Sequence, residues 1–96
     1  MRLLAATVAG LALTAAPTQA TPSHVIEVRL KVSVNFYNAP ATTRAYICNR
    51  YAAHPRGSLF RGTVAGYVRQ GYTAREARRG VRQGLTVSCR AEGWSV

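Results

Sequence analysis

The sequence predicts a small α+β domain, in which an antiparallel sheet is packed by one helix and held by one disulfide. Three observations support this fold class. Several segments alternate apolar and polar residues, as strands with one buried face do. One segment carries a helix-capping motif. The chain has two cysteines and begins with a segment typical of exported proteins.

The helix is predicted from the motif at its start. Thr73 is followed three residues later by Glu76. In this capping box the hydroxyl accepts the backbone N–H of the glutamate, and the carboxylate accepts the N–H of the threonine. We therefore predict a helix over residues 74–83. Gly84 is expected to end it, because glycine readily adopts the left-handed conformation that follows many helices.

The first two strands are predicted from residues 25–37 and 43–51. In the first, six apolar side chains alternate with polar ones, which indicates a long strand with one wet face. Turn residues at 38–41 connect it to the second, so a hairpin of neighbouring strands is expected. A further loop is predicted at 54–58 from its proline and glycine.

Two later segments complete the predicted sheet. Residues 85–91 alternate like the first strand and follow the helix directly. Residues 59–70 fit either a helix or a strand. Two glycines and several β-branched or aromatic residues favour a strand over 62–69, followed by a turn at 70–71.

The N-terminal segment resembles an export signal. Residues 1–20 combine an early cation, an apolar run over 3–16 and small residues at 18–20, where a signal peptidase cleaves. No twin arginine precedes the run, which favours the general secretory route. We therefore expect a single mature domain over residues 21–96, periplasmic or extracellular, without a transmembrane segment.

Such a short domain is expected to need a covalent link, because a core of this size is only marginally sufficient. Cys48 and Cys89 are the only cysteines and are predicted to form a disulfide. Two distant cysteines and two distant histidines do not form a metal-binding pattern. The sequence predicts neither a metal nor a cofactor.

Few residues are available for catalysis. The chain has three glutamates and no aspartate, and the cap already uses Glu76. Glu27 and His54 are the only acid–base pair that a small secreted ribonuclease could use, and no motif surrounds them. An enzymatic role stays open but is not favoured, and no residue is predicted to be catalytic.

The positive charge is the main functional signal. Loss of residues 1–20 would lower the formal charge from +10 to +9, and every remaining cation except Lys31 is an arginine. Arginine binds phosphate and carboxylate groups through its planar fork. Spacings of three and four place several arginines on one face of the predicted helix. The predicted anion-binding residues are Arg75, Arg78, Arg79 and Arg82, with Arg69 and Arg90 at the flanks.

These features suggest an exported cationic module that binds an anionic envelope component, such as lipid phosphates or phosphorylated glycans. An acidic protein and extracellular nucleic acid are further candidate partners. The alternative is a protein-interaction module, an inhibitor or accessory subunit of an exported enzyme, with an apolar interface around Trp94 or Tyr37. A solvated surface of arginines without a ligand would also account for the charge. The oligomeric state is not predicted.

Overall fold

Four helices joined by short connections form the fold of this protein in the computed structural model, which describes residues 20–96. We number them α1 to α4 in chain order. The predicted signal peptide falls almost entirely on residues 1–19, outside the described part. The helices are α1 (Pro22–Asn38), α2 (Ala41–Ala53), α3 (Ser58–Arg69) and α4 (Ala74–Ala91).

The prediction of an α+β fold is therefore wrong. Residues 20–96 contain no strand, and the segments predicted as strands over 25–37, 43–51, 62–69 and 85–91 all lie in helices. The turn regions at 38–41 and 54–58 contain the first two helix connections, whereas 70–71 form only the first half of the third, which runs to residue 73. Proline and glycine thus indicated where the segments end, but not whether each segment is a helix or a strand.

The alternation in α1 has a different physical origin from that of a strand. Residues two apart on a helix point to nearly opposite sides, whereas residues three or four apart share a side. Val28, Val32 and Phe36 are buried, while the apolar residues between them point to solvent. A sequence that alternates apolar residues therefore also suits a helix with one buried and one exposed apolar side. Pro22 at the first helical turn supports the helix, because its fixed φ suits that position.

The other three segments also bury residues at helical spacing. In α2 the buried pair is Cys48 and Tyr51, three residues apart. In α3 Phe60, Val64 and Tyr67 follow one another at spacings of four and three. Packing against α4 outweighs the strand preference and glycine content of these segments.

The helix predicted from the capping box is confirmed at its start. The Thr73 hydroxyl accepts the backbone N–H of Glu76 at 3.1 Å, and the Glu76 carboxylate accepts the N–H of Thr73 at 2.9 Å. The helix does not end at residue 83 but continues to Ala91. Gly84 is a buried residue in its interior, so its predicted role as a terminator is wrong.

Gly80 and Gly84 allow α1 and α4 to pack very closely. A Cβ atom on Gly80 would lie 2.9 Å from the carbonyl oxygen of Val25, and one on Gly84 would lie 3.0 Å from that of Arg29. Four residues further along α4, the Ser88 hydroxyl lies 3.3 Å from that of Ser33. The two helices therefore run parallel, with the small residues of α4 against the valines of α1.

The core lies where α2 and α3 close over this helix pair. Its main cluster contains residues of all four helices, namely Val28, Val32, Tyr51, Phe60, Val64, Tyr67, Ala77, Val81 and Leu85. A second cluster contains Phe36 and the two cysteines, against which Trp94 packs. The predicted disulfide between Cys48 and Cys89 is confirmed, and it joins α2 to α4.

Candidate anion-binding face

The predicted arginines of α4 lie together on its solvent-exposed side. Arg75, Arg78, Arg79 and Arg82 are all exposed and fall within an arc of about 100° around the helix axis. We call these four residues the arginine face. Ala77, Gly80, Val81, Gly84 and Leu85 occupy the buried side of the same helix. Core packing thus fixes the outward direction of the guanidinium groups.

The arginine face has no acidic partner among residues 20–96. The salt bridges there join His24 to Glu76 and Arg44 to Glu92. The third acid, Glu27, accepts a hydrogen bond from the Tyr72 hydroxyl at 2.8 Å. All three carboxylates are therefore engaged elsewhere, and the guanidinium groups of the arginine face are left for an external anion.

Arg82 differs from the other members of the face. Its guanidinium carbon lies 5.1 Å from the centre of the Phe60 ring, within the range of a cation–π contact. Arg82 therefore also holds α3 against α4. Arg75, Arg78 and Arg79 make no such contact with any of residues 20–96 and are the better probes of binding.

The two flanking arginines are placed differently. Arg90 lies in the last turn of α4, on the same side as Arg79 but about 16 Å further along the axis, and its Nε donates to the carbonyl oxygen of Val96 at 2.8 Å. Arg69 is exposed in the last turn of α3, on the side opposite the buried Phe60. Arg90 therefore extends the arginine face, and Arg69 belongs to a different surface.

An exposed apolar stripe on α1 is the main feature that sequence reasoning missed. The sequence placed most of its residues in the buried face of a strand. The side chains of Ile26, Leu30, Val34 and Tyr37 are 47%, 54%, 56% and 52% exposed and lie along one side of the helix. We call these four residues the apolar stripe. Their spacing of four, four and three is a helical signal that was available in the sequence.

The apolar stripe and the arginine face meet at a groove between α1 and α4. Ile26 and Arg79 both line this groove, together with Pro22, Val25 and Gln83. On the other side of α1, Leu30 and Val34 border a second groove with Lys31. Cations thus lie on both sides of the stripe. This arrangement joins exposed apolar and cationic side chains in one surface.

Glu76 is the one buried acid among residues 20–96, and it connects the starts of α1 and α4. Its carboxylate accepts the N–H of Thr73, the N–H of Thr21 and the Nδ1–H of His24, all at 2.9 Å. Burial by itself raises the pKa of Glu76, but these hydrogen bonds outweigh that effect and lower the pKa to about 2. The negative charge lies between two helix N-termini and offsets their positive dipole ends. Glu76 therefore stabilises the parallel helix pair.

The acid–base pair considered for catalysis is not assembled. Glu27 lies on α1 and binds Tyr72, whereas His54 caps the end of α2. No hydrogen bond or salt bridge joins them in the part of the chain that the structure describes. Within the same part, no group of three or more histidine, cysteine or acidic side chains could hold a metal ion.

Comparisons with known proteins do not assign a function. No protein-family model, no curated protein and no solved structure matches the chain. None of the helices within residues 20–96 is long and apolar enough to cross a membrane.

Proposed function

We propose that the protein is an exported cationic binding module that attaches to an anionic lipid surface of the cell envelope. The observation that carries this proposal is the arginine face, four exposed guanidinium groups on one side of a rigid helix without acidic partners among residues 20–96. Guanidinium groups bind phosphate oxygens through paired hydrogen bonds. A disulfide is consistent with an oxidising compartment outside the cytoplasm.

The surroundings of the face favour lipid over a soluble polyanion. A formal charge of +9 after loss of the leader attracts the protein to any anionic surface. A soluble polyanion has no apolar region in which the side chains of the apolar stripe could be buried. The boundary between lipid headgroups and acyl chains accepts apolar side chains beside cations. The groove shared by Ile26 and Arg79 brings the two kinds of contact together.

The proposal is tested by removing three arginines from the face. Arg75→Gln/Arg78→Gln/Arg79→Gln keeps the Arg82 contact with Phe60 and retains a good helix former. We expect affinity for vesicles of phosphatidylcholine and phosphatidylglycerol to fall on the order of 100-fold, since each cation near such a surface contributes about 1 kcal/mol. The measurement is vesicle cosedimentation at low and at high salt.

A matched control removes the same charge elsewhere. Arg50, Arg56 and Arg61 are exposed on α2, the following loop and α3. Their replacement by glutamine should weaken binding less than tenfold. Equal losses in the two triple variants would show that net charge alone acts and that the arginine face has no special role. Duplex DNA and lipopolysaccharide serve as additional ligands, and binding of DNA without binding of vesicles would contradict the lipid assignment.

The alternative, a protein-interaction module, is favoured by the apolar stripe itself. A second copy of this chain is a poor partner for it. The stripe exposes on the order of 400 Å², about half of what each partner buries in a standard interface, and two chains of charge +9 repel each other. A different protein with an apolar, acidic surface is the remaining candidate.

Two double variants separate the lipid and protein hypotheses. Ile26→Gln/Leu30→Gln should reduce vesicle affinity at least about tenfold, because two half-exposed apolar side chains no longer enter the interface. Tyr46→Gln/Val68→Gln removes side chains that are 59% and 40% exposed on α2 and α3 and should bind like the parent. If the stripe variant binds vesicles as tightly as the parent, the stripe is not a lipid contact and a protein partner becomes the better explanation.

A further inference from the structure

The Glu76 carboxylate accepts a hydrogen bond from the backbone nitrogen at the start of α1. The N–H of Thr21 donates to Glu76 Oε2 at 2.9 Å, and the Glu76 residue is only 2% exposed. His24, in the first turn of α1, donates to the same oxygen. An isolated buried carboxylate is costly unless a cation or several N–H groups compensate it, and Thr73, Thr21 and His24 supply that compensation here.

Thr21 is also the residue that follows the predicted signal-peptide cleavage. That prediction depends on the small residues at 18–20 and on the apolar run before them. It makes no use of Glu76, which lies 55 positions away in the sequence. The cleavage site predicted from the sequence and the hydrogen bond seen in the structure therefore involve the same nitrogen atom, and neither was derived from the other.

We propose that cleavage of the Ala20–Thr21 bond creates an α-ammonium group that the buried carboxylate of Glu76 binds. The proposal rests on the predicted cleavage site but not on the proposed lipid binding. A signal peptidase adds one water across the peptide C–N bond. Ala20 keeps the new carboxylate, and the nitrogen of Thr21 becomes an amine that is protonated at neutral pH. The mature N-terminus thereby becomes a structural group of the fold.

Cleavage changes the nature of the existing contact. Before cleavage, Thr21 offers the Glu76 carboxylate one uncharged N–H, and the ionised acceptor already strengthens this hydrogen bond. Afterwards the same nitrogen carries a positive charge and three N–H groups, so a Coulombic attraction between ammonium and carboxylate is added. The start of a helix normally disfavours a cation, because the helix dipole is positive there. Glu76 supplies the negative charge that makes an ammonium group acceptable at this position.

The test compares two chains that differ only at the N-terminus. One is residues 21–96, which contain the whole described core, with a free Thr21 amine; the other is residues 18–96. We expect the folding equilibrium constant of the shorter chain to be at least about fivefold larger. In the Glu76→Gln background the difference should fall below about twofold, as a double-mutant cycle requires. No difference in the parent, or the same difference in both backgrounds, would overturn the proposal.

Two further measurements do not depend on the folding of the Glu76 variant. In the folded 21–96 chain, acetylation of the N-terminal amine by an activated ester should be at least about tenfold slower than in the 18–96 chain, because the Glu76 carboxylate binds the ammonium group and keeps it protonated. Equal rates would contradict the proposal. The intact mass of the full chain after export should correspond to a chain that begins at Thr21, and any other first residue would also overturn it.

Discussion

Replacing both cysteines with alanine is expected to cost about 4 kcal/mol of unfolding free energy, because the disulfide closes a loop of 41 residues in the unfolded chain. A domain of this size has a total stability of roughly 4–11 kcal/mol. The Cys48→Ala/Cys89→Ala variant should therefore retain roughly 0–7 kcal/mol of stability and unfold at a clearly lower urea concentration than the oxidised parent. Urea denaturation of the oxidised parent and of the variant measures the difference.

Reduction of the disulfide in the parent protein provides the control for this experiment. Adding dithiothreitol should destabilise the parent to about the level of the double variant and leave the variant itself unchanged. If the variant unfolds at the same urea concentration as the oxidised parent, the link between α2 and α4 does not contribute to stability.

Gly80→Ala is expected to destabilise the protein by about 2–3 kcal/mol, although alanine is the better helix former. The added Cβ would lie 2.6 Å from Cγ1 of Val28 and 2.9 Å from the carbonyl oxygen of Val25. A backbone atom cannot move aside as a flexible side chain can, so α1 and α4 must separate. The cost of this separation exceeds the gain of about 1 kcal/mol in helix propensity.

Gly62→Ala is the matched control. Gly62 lies inside α3, and a Cβ there would meet no atom of residues 20–96 within 4 Å. This substitution should stabilise the protein by up to about 1 kcal/mol. Thermal and urea unfolding of both variants measure the effects. Stabilisation by both substitutions would contradict the close packing of α1 on α4.

The sequence was most informative where a local motif specifies its own geometry. The hydroxyl of Thr73 accepts the backbone N–H of Glu76, and the carboxylate of Glu76 accepts that of Thr73, only when a helix begins at Ala74, so that start could be predicted. The disulfide could be predicted because Cys48 and Cys89 had no other partner. Neither argument required knowledge of distant contacts.

The strand predictions failed because alternation does not distinguish a strand from a helix with two apolar sides. Ile26 and Val28 are consecutive apolar positions in the pattern, but one is half-exposed and the other is buried. Only the packing of α4 against α1 determines which of these two side chains is buried. Gly84 was misassigned for a similar reason. Glycine can end a helix and can also permit close packing between helices, and the residues that follow Gly84 in the sequence favoured helix termination.

The candidate site could be predicted in part. The arginine face depends only on helical spacing within α4, so its four members could be predicted without a tertiary structure. The apolar stripe beside it could not, because the sequence placed α1 in a sheet. His24 was missed as a partner of Glu76 for the same reason, since parallel packing of α1 and α4 brings them together across 52 positions.

The most direct test of the proposed binding surface is the ¹H–¹⁵N spectrum of residues 21–96, recorded with increasing amounts of nanodiscs that contain phosphatidylglycerol. We predict the largest signal changes at Arg75 and Arg79 of the arginine face and at Ile26 and Leu30 of the apolar stripe, because Ile26 and Arg79 line one groove and each of the other two lies about one helical turn from one of them. Largest changes on α2 and α3, or an unchanged spectrum at low salt, would contradict the proposal that this surface binds anionic lipid.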